Sequence, residues 1–177
     1  MKIGIFGSSH KNNPEIIKQT KEIGRLLALK NHEVVTGGSP GYPHIVASSA
    51  LAAGGKATVY AVGLNLKDHK KYHATDISKY TNIIYQKKYF KKELSMIDNY
   101  ARSLDMVMDI DTAIIIGGRV GTMYEISILC GMAKDFFVLE DSGGITKETI
   151  RSFVKEGHKE NSSVTFLKNS NDLTSLV

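Results

Sequence analysis

The feature that most limits what this chain can fold into is an alternation of two kinds of stretch. Short apolar runs recur: "KIGIF" at 2–6, "HEVVTGG" at 32–38, "KATVYAVGL" at 56–64, "NIIYQ" at 82–86, "TAIIIGG" at 112–118 and "DFFVLE" at 135–140. Helical patterns separate most of them. "PEIIKQTKEIGRLLALK" carries Ile16, Ile17, Ile23, Leu26 and Leu27 at helical spacing, with Asn13 as a cap and Pro14 in the first turn. "PHIVASSALAAGG" reads as a small-residue helix stopped by Gly54-Gly55. Further helices are expected over roughly 89–108, over "GTMYEISILCGMA" and near 145–156, with a weak last strand at "SVTFL". Residues 65–80 read as a long polar loop. Several strands are unbroken apolar runs, as expected when both faces of a sheet are covered. The pattern predicts a doubly wound, mainly parallel α/β sheet with helices on both faces. The 177 residues suit one domain, 1–177, with no internal repeat or linker.

In such sheets ligands bind beyond the C-terminal ends of the strands. Three glycine-bearing loops fall there: Gly7-Ser8-Ser9, Gly37-Gly38-Ser39-Pro40-Gly41, and Gly117-Gly118-Arg119-Val120-Gly121-Thr122. Glycine lets a backbone turn sharply and approach a ligand. The free N–H groups of the helix that follows then favour an anion. A tight turn with no ligand would account for one such loop; three at one sheet edge favour a ligand site. The loops are not a Walker sequence, since no Lys-Ser/Thr pair follows. The first turn, "GIFGSSH", lacks G-x-G-x-x-G.

An acid, Glu125, stands about one turn into the helix after the third loop, where the dipole should keep it ionised. A carboxylate is poor at holding phosphate. It suits a developing cation, such as the oxocarbenium-like state of glycosidic cleavage. The simpler alternative is a carboxylate that only stabilises the helix end. Arg102 lies nine residues before Asp111 on the preceding helix. Helical rise over nine residues, roughly 13 Å, nearly matches the roughly 16 Å strand 112–116. Arg102 should therefore lie level with Gly117, where it could grip phosphate or a leaving group; a surface arginine is the alternative.

Composition sets outer limits. The chain is 42% hydrophobic and 23% charged, with formal charge +5. That permits an anionic ligand without requiring nucleic acid. The Lys/Tyr-rich stretch 67–92 is read as a solvated surface, not a nucleic-acid interface. Its His69 and His73 are read as facing solvent, not binding metal. The single cysteine, Cys130, forms no internal disulfide and is read as a buried thiol in a reducing, cytoplasmic protein. No apolar run approaches the roughly 20 residues of a membrane span, and "MKIGIFGSS" is too short for a signal-peptide core.

The stretch "IGGRVGTMYE", Ile116 to Glu125, resembles the P-G-G-x-G-T-x-x-E hallmark of the Lonely Guy family, long misannotated as lysine decarboxylases. "FGSSHKNNPE", "EIGRLLA" and "TGGSPG…ALAAGGKATVYAVG" agree with it, so the similarity spans about residues 2 to 140. The resemblance implies membership of a wider Rossmann-like nucleotide-binding superfamily. It implies hydrolysis of a nucleoside 5′-monophosphate to base and ribose 5-phosphate, without metal or organic cofactor, commonly by a homodimer. Arg102 and Glu125 would be the catalytic pair. Ser8, Gly118, Gly121 and Thr122 would hold the nucleotide, with Gly7, Ser9, Gly37, Gly38, Gly117 and Arg119 in the same binding loops. Four departures stand out. Ile116 replaces the motif proline, and Tyr124 stands where many active members have a second acid. "GYPHIVA" replaces Gly-Leu-Met-Gly, and Ser103 replaces a lysine beside the arginine. The last three bear on the base pocket and on activity. The superfamily also includes nucleotide carriers and sensors, which is the alternative reading.

Overall fold

A computed structural model describes residues 1–10, 13–85, 96–157 and 162–175. Among these, seven strands form one sheet: β1 (Lys2–Gly7), β2 (Glu33–Thr36), β3 (Lys56–Ala61), β4 (Asn82–Tyr85), β5 (Thr112–Ile116), β6 (Phe136–Leu139) and β7 (Val164–Leu167). The spatial order is β4-β3-β2-β1-β5-β6-β7, and every neighbouring pair is parallel. The chain runs outward from β1 to β4, then returns to place β5 against β1. That reversal leaves a crevice at the C-terminal ends of β1 and β5.

β5 shows why the apolar runs do not alternate. All five of its residues are buried. Ile114 and Ile116 join the core on one face of the sheet, and Ala113 and Ile115 join the core on the other. Each buried isoleucine stabilises the fold by roughly 1.5–3 kcal/mol. The first core is closed by α1 (Pro14–Leu29) and α2 (Tyr42–Ala52). Asn13 caps α1, its side chain accepting from the N–H groups of Glu15 and Ile16 at 3.0 and 3.4 Å. The two helices approach closely because Gly24 has no side chain; a Cβ there would strike the Val46 carbonyl. The second core is closed by α4 (Met96–Asp109), α5 (Val120–Gly131) and α6 (Thr149–Gly157) through Met106, Val107, Leu129 and Ile150. Cys130 is a free, buried thiol whose pKa burial raises.

The expected loop over 65–80 is partly helical. α3 (Leu66–Tyr72) is capped by Asn65, which accepts from the Asp68 N–H at 3.0 Å. The expected helix 89–108 is described from Met96; its first residues lie outside the described ones. The helix expected near 145–156 divides into a 3-10 turn, Gly144–Thr146, and α6.

Candidate functional site

At the sheet reversal, three loops pack through their glycines. A Cβ on Gly7 would meet the Ile116 carbonyl, and one on Gly41 would meet the Ser8 carbonyl. The Ser8 N–H donates to the Ile116 carbonyl at 3.0 Å, and the Tyr42 N–H donates to the Ser8 carbonyl at 3.1 Å. The third loop rests on a support that sequence reasoning missed. Ser142, after β6, accepts from the Gly117 N–H at 2.7 Å and donates to the Leu139 carbonyl at 2.5 Å. The Gly118 carbonyl accepts from the Ile145 N–H at 3.1 Å. No local signal marks Ser142, because its partner is 25 residues away.

The loops bound a cleft of about 270 Å³. Gly7, Ser8 and Ser9 line it from one loop, Gly118, Arg119, Gly121 and Thr122 from another, and Arg102 and Glu125 from α4 and α5. Gly37, Gly38 and Gly117 do not line it. Gly37 and Gly38 buttress Arg102 and His69 respectively, and the Gly117 N–H is taken by Ser142. Arg119, at the N-cap of α5, is exposed and makes no side-chain cap. The first-turn N–H groups of α5 therefore keep their capacity for an anion. Gly118, at φ +114°, sits so close to Thr122 that a Cβ would overlap its hydroxyl. Gly121 has open space on its Cβ side.

Arg102 lies where the helix and strand rises placed it, but it is not a surface residue. It is 7% exposed, and its Nη1 donates to the Gly37 carbonyl at 2.8 Å. Its Nε is buried without a partner. Burial lowers its pKa, and the charge of Glu125 opposes that shift. Glu125 corrects the expectation of a dipole-held anion. α5 begins at Val120, so Glu125 stands in the second turn, away from the helix end. Burial pushes its carboxyl up to about 7, although Arg102 and a hydrogen bond from Ser103 pull it down. The Ser103 hydroxyl donates to Glu125 Oε1 at 3.0 Å. Ser103, noted in the sequence as a departure, thus fixes one carboxylate oxygen. Tyr124, another departure, packs edge-on against Tyr100 at 4.6 Å and donates to the Tyr100 carbonyl at 3.3 Å.

His69 does not face solvent, and His73 is half-buried with its Nε2 turned inward. α3 turns His69 fully inward under Gly38, and the two rings lie 5.4 Å apart. Burial, then the charge of Arg102, pushes both imidazoles down to about 4, so they are neutral at pH 7; the nearby Gly38 backbone opposes the shift at His69, and His69 adds to that at His73. Nε2 of His73 has no hydrogen-bond partner, and His69 has none of good alignment, only a weak one toward the Gly38 backbone. Buried polar atoms left this way cost about 1–3 kcal/mol each. Among the described residues no group of three metal-ligating side chains is assembled.

A Rossmann-like α/β fold with a glycine-walled cleft at its sheet reversal, and an arginine–glutamate pair inside it, defines the class. Within that class the chain belongs to the SLOG cluster4 family, whose model matches residues 1–174. This bears out the superfamily to which the Lonely Guy-like motif pointed. Among solved structures the chain is similar to TM1055, at 19% identity, covering 99% of this chain and 96% of that one with a TM-score of 0.78. It is also similar to the molybdenum cofactor carrier protein of Chlamydomonas reinhardtii, at 16% identity, 99% and 94% coverage and a TM-score of 0.71. The third is DNA processing protein A of Helicobacter pylori, described as binding single-stranded DNA, at 18% identity, 99% and 79% coverage and a TM-score of 0.71. At these identities the likeness is one of fold. No curated protein matches the chain. Among the described residues no helix is long and apolar enough to cross a membrane.

Proposed function

We propose that the protein hydrolyses the N-glycosidic bond of a nucleoside 5′-monophosphate, releasing base and ribose 5-phosphate. The observation that carries this reading is the cleft's division of labour. Free N–H groups at the start of α5, with Thr122 and Ser8, offer a phosphate site, while Glu125 stands a turn further along the helix, beside Arg102. A carboxyl near pKa 7 can accept a proton at neutral pH. Water bonds to C1′ as the C1′–N bond breaks, and Glu125 takes the water proton. The departing base keeps the bond's electron pair and takes up one proton, which Glu125 can return. Arg102 stabilises the negative charge on phosphate or leaving group. No resident cofactor enters this scheme.

A second reading is a nucleotide or related phosphorylated-ligand carrier that performs no chemistry. Ser103 favours it: the neutral hydroxyl stands where catalytic relatives of the resembled family carry lysine. The Chlamydomonas neighbour, a molybdenum cofactor carrier protein, agrees with this reading. We further propose a cytoplasmic homodimer. Ile97, Tyr100, Leu104 and Met108 form an exposed apolar stripe along α4, which a second copy would cover. Nucleic acid is the less favoured ligand; the 86–92 part of the basic stretch lies outside the described residues. Chromatography of free base after incubation with a panel of nucleoside 5′-monophosphates decides between the first two readings. The hydrolase releases base and the Glu125→Gln variant does not; the carrier binds a nucleotide saturably and releases none.

A further inference from the structure

α3 is an unusual helix for a core. Its one fully buried residue is not apolar but His69, and it packs only lightly on the other elements. An aliphatic side chain at that position would bury apolar area without stranding a polar ring. The histidine therefore contributes something other than packing. Beside it stand three further observations. Nε2 of His73 and Nε of Arg102 are buried and unpartnered, and the His69 ring is buried with no well-aligned hydrogen bond, only a weak one toward the Gly38 backbone. Arg102 faces both ways: it lines the cleft, and its charge acts on both rings. The Gly37–Gly38 turn lies against the guanidinium and against His69, where a Cβ would come within 3.1 Å and 2.7 Å respectively.

The histidines lie behind Arg102 and not in the cleft's lining; we propose that on opening of α3, His69, His73 and Arg102 Nε form a base-recognition subsite continuous with the cleft, taking the hydrogen-bonding edge of a neutral planar heterocycle while the α5 loop takes the phosphate. This rests on the nucleotide reading above. The chemistry selects the class of group. A neutral imidazole offers one donor and one acceptor, and the arginine Nε offers a donor. Phosphate offers acceptors only and would leave the imidazole acceptors stranded. A nucleobase edge carries donors and acceptors side by side and can satisfy both. The wall is held at one end by the described bonds of its first turn, where Asp68 accepts from the Leu64 N–H at 3.1 Å and donates its own N–H to Asn65 at 3.0 Å. α3 is seven residues long and follows Gly63, at φ +83°. It is the kind of lightly packed element that opens locally to admit a ligand.

Calorimetric titration of the full chain with nucleoside 5′-monophosphates and, separately, with ribose 5-phosphate tests this. His69→Phe and His73→Phe keep a planar ring and remove its hydrogen bonds. Each should weaken the preferred nucleotide at least tenfold and leave ribose 5-phosphate within about twofold. His69→Gln, which restores a donor and an acceptor, should recover part of the loss. Equal effects on both ligands, or no effect on either, would mean that buried water alone completes the cluster and would overturn the subsite. Should the phenylalanine variants fail to fold, imidazole ¹⁵N shifts of the wild type give the answer. They should move with nucleotide and stay put with ribose 5-phosphate; identical or absent shifts overturn the proposal. Histidine-dependent nucleotide binding without base release would uphold the subsite while removing the hydrolase. Base release indifferent to both histidines would do the reverse.

Discussion

The two edges of the sheet set their charged residues in different surroundings. At the N-terminal edge lies the larger cavity, about 610 Å³. Several of its polar groups are paired, although Asp109 Oδ2 and His32 Nε2 are buried there without a well-aligned hydrogen bond. Lys2 Nζ pairs with Asp109 at 2.6 Å, the Lys2 N–H donates to Asp111 at 2.8 Å, and Thr58 donates to Glu33 at 2.5 Å. The C-terminal ends of α1 and α2 border it, so the helix dipoles there present their negative ends. At the C-terminal edge the cleft is less than half that size. There the start of α5 points in, Arg102 has an unused Nε, and Glu125 is displaced to a pKa near 7. Helix direction and a displaced carboxyl beside an arginine, not volume or unpaired polar atoms, mark the edge where chemistry is expected.

The sharpest way to break the comparison is to disable one edge and spare the other. Arg102→Ala should lower base release by roughly 10²–10⁴-fold, the range of a lost transition-state interaction, as read by steady-state kinetics. Gly118→Ala follows. The added methyl overlaps Thr122 at a φ that disfavours any side chain, so nucleotide affinity by calorimetry should fall at least tenfold and the melting temperature should drop. Gly121→Ala separates ligand from fold. Open space surrounds its Cβ, and alanine suits a helix better by about 1 kcal/mol. The variant should melt slightly higher yet bind nucleotide several-fold more weakly, because the methyl occupies the ligand's approach.

Glu125 adds a pH signature. Its folded pKa lies above the ordinary 4.5, so the folded chain keeps a proton that the unfolded chain sheds. Stability should therefore fall as pH rises from about 4.5 through about 7. Glu125→Gln should raise the melting temperature more at pH 8 than at pH 5. Ser103→Ala removes a bond that lowers this pKa, so the acid limb of activity should move upward by less than one unit. The smallest effect belongs to the other edge. Lys2→Ala breaks a partly exposed pair and should cost about 0.2–1 kcal/mol of stability, with kcat/KM unchanged within twofold.

What the sequence made legible was periodic or local. β5 and its five buried residues follow from one apolar run, and Asn13 and Pro14 opened α1 as expected. Arg102 could be placed because helix rise and strand rise are fixed lengths. α3 was missed because "LKDHKKY" has no apolar face; its signals were the Asn65 cap and the Asp68 N–H it accepts from. The inward turn of His69 followed that miss, since a loop histidine is read as solvated. The displacement of Glu125 was hidden for another reason: desolvation depends on what surrounds a carboxyl in space, and Arg102, Ser103 and Glu125 come from two helices. Ser142, supporting Gly117 from beyond β6, belongs to the same non-local class.

The most direct test of the account is the pH profile of base release, with free base and ribose 5-phosphate quantified together between pH 5 and 9. The account predicts the two products in equal amounts from at least one nucleoside 5′-monophosphate. Their rate should rise through an apparent pKa near 7 and vanish in Glu125→Gln. Saturable nucleotide binding with no base released at any pH would contradict it and leave the cleft to a carrier.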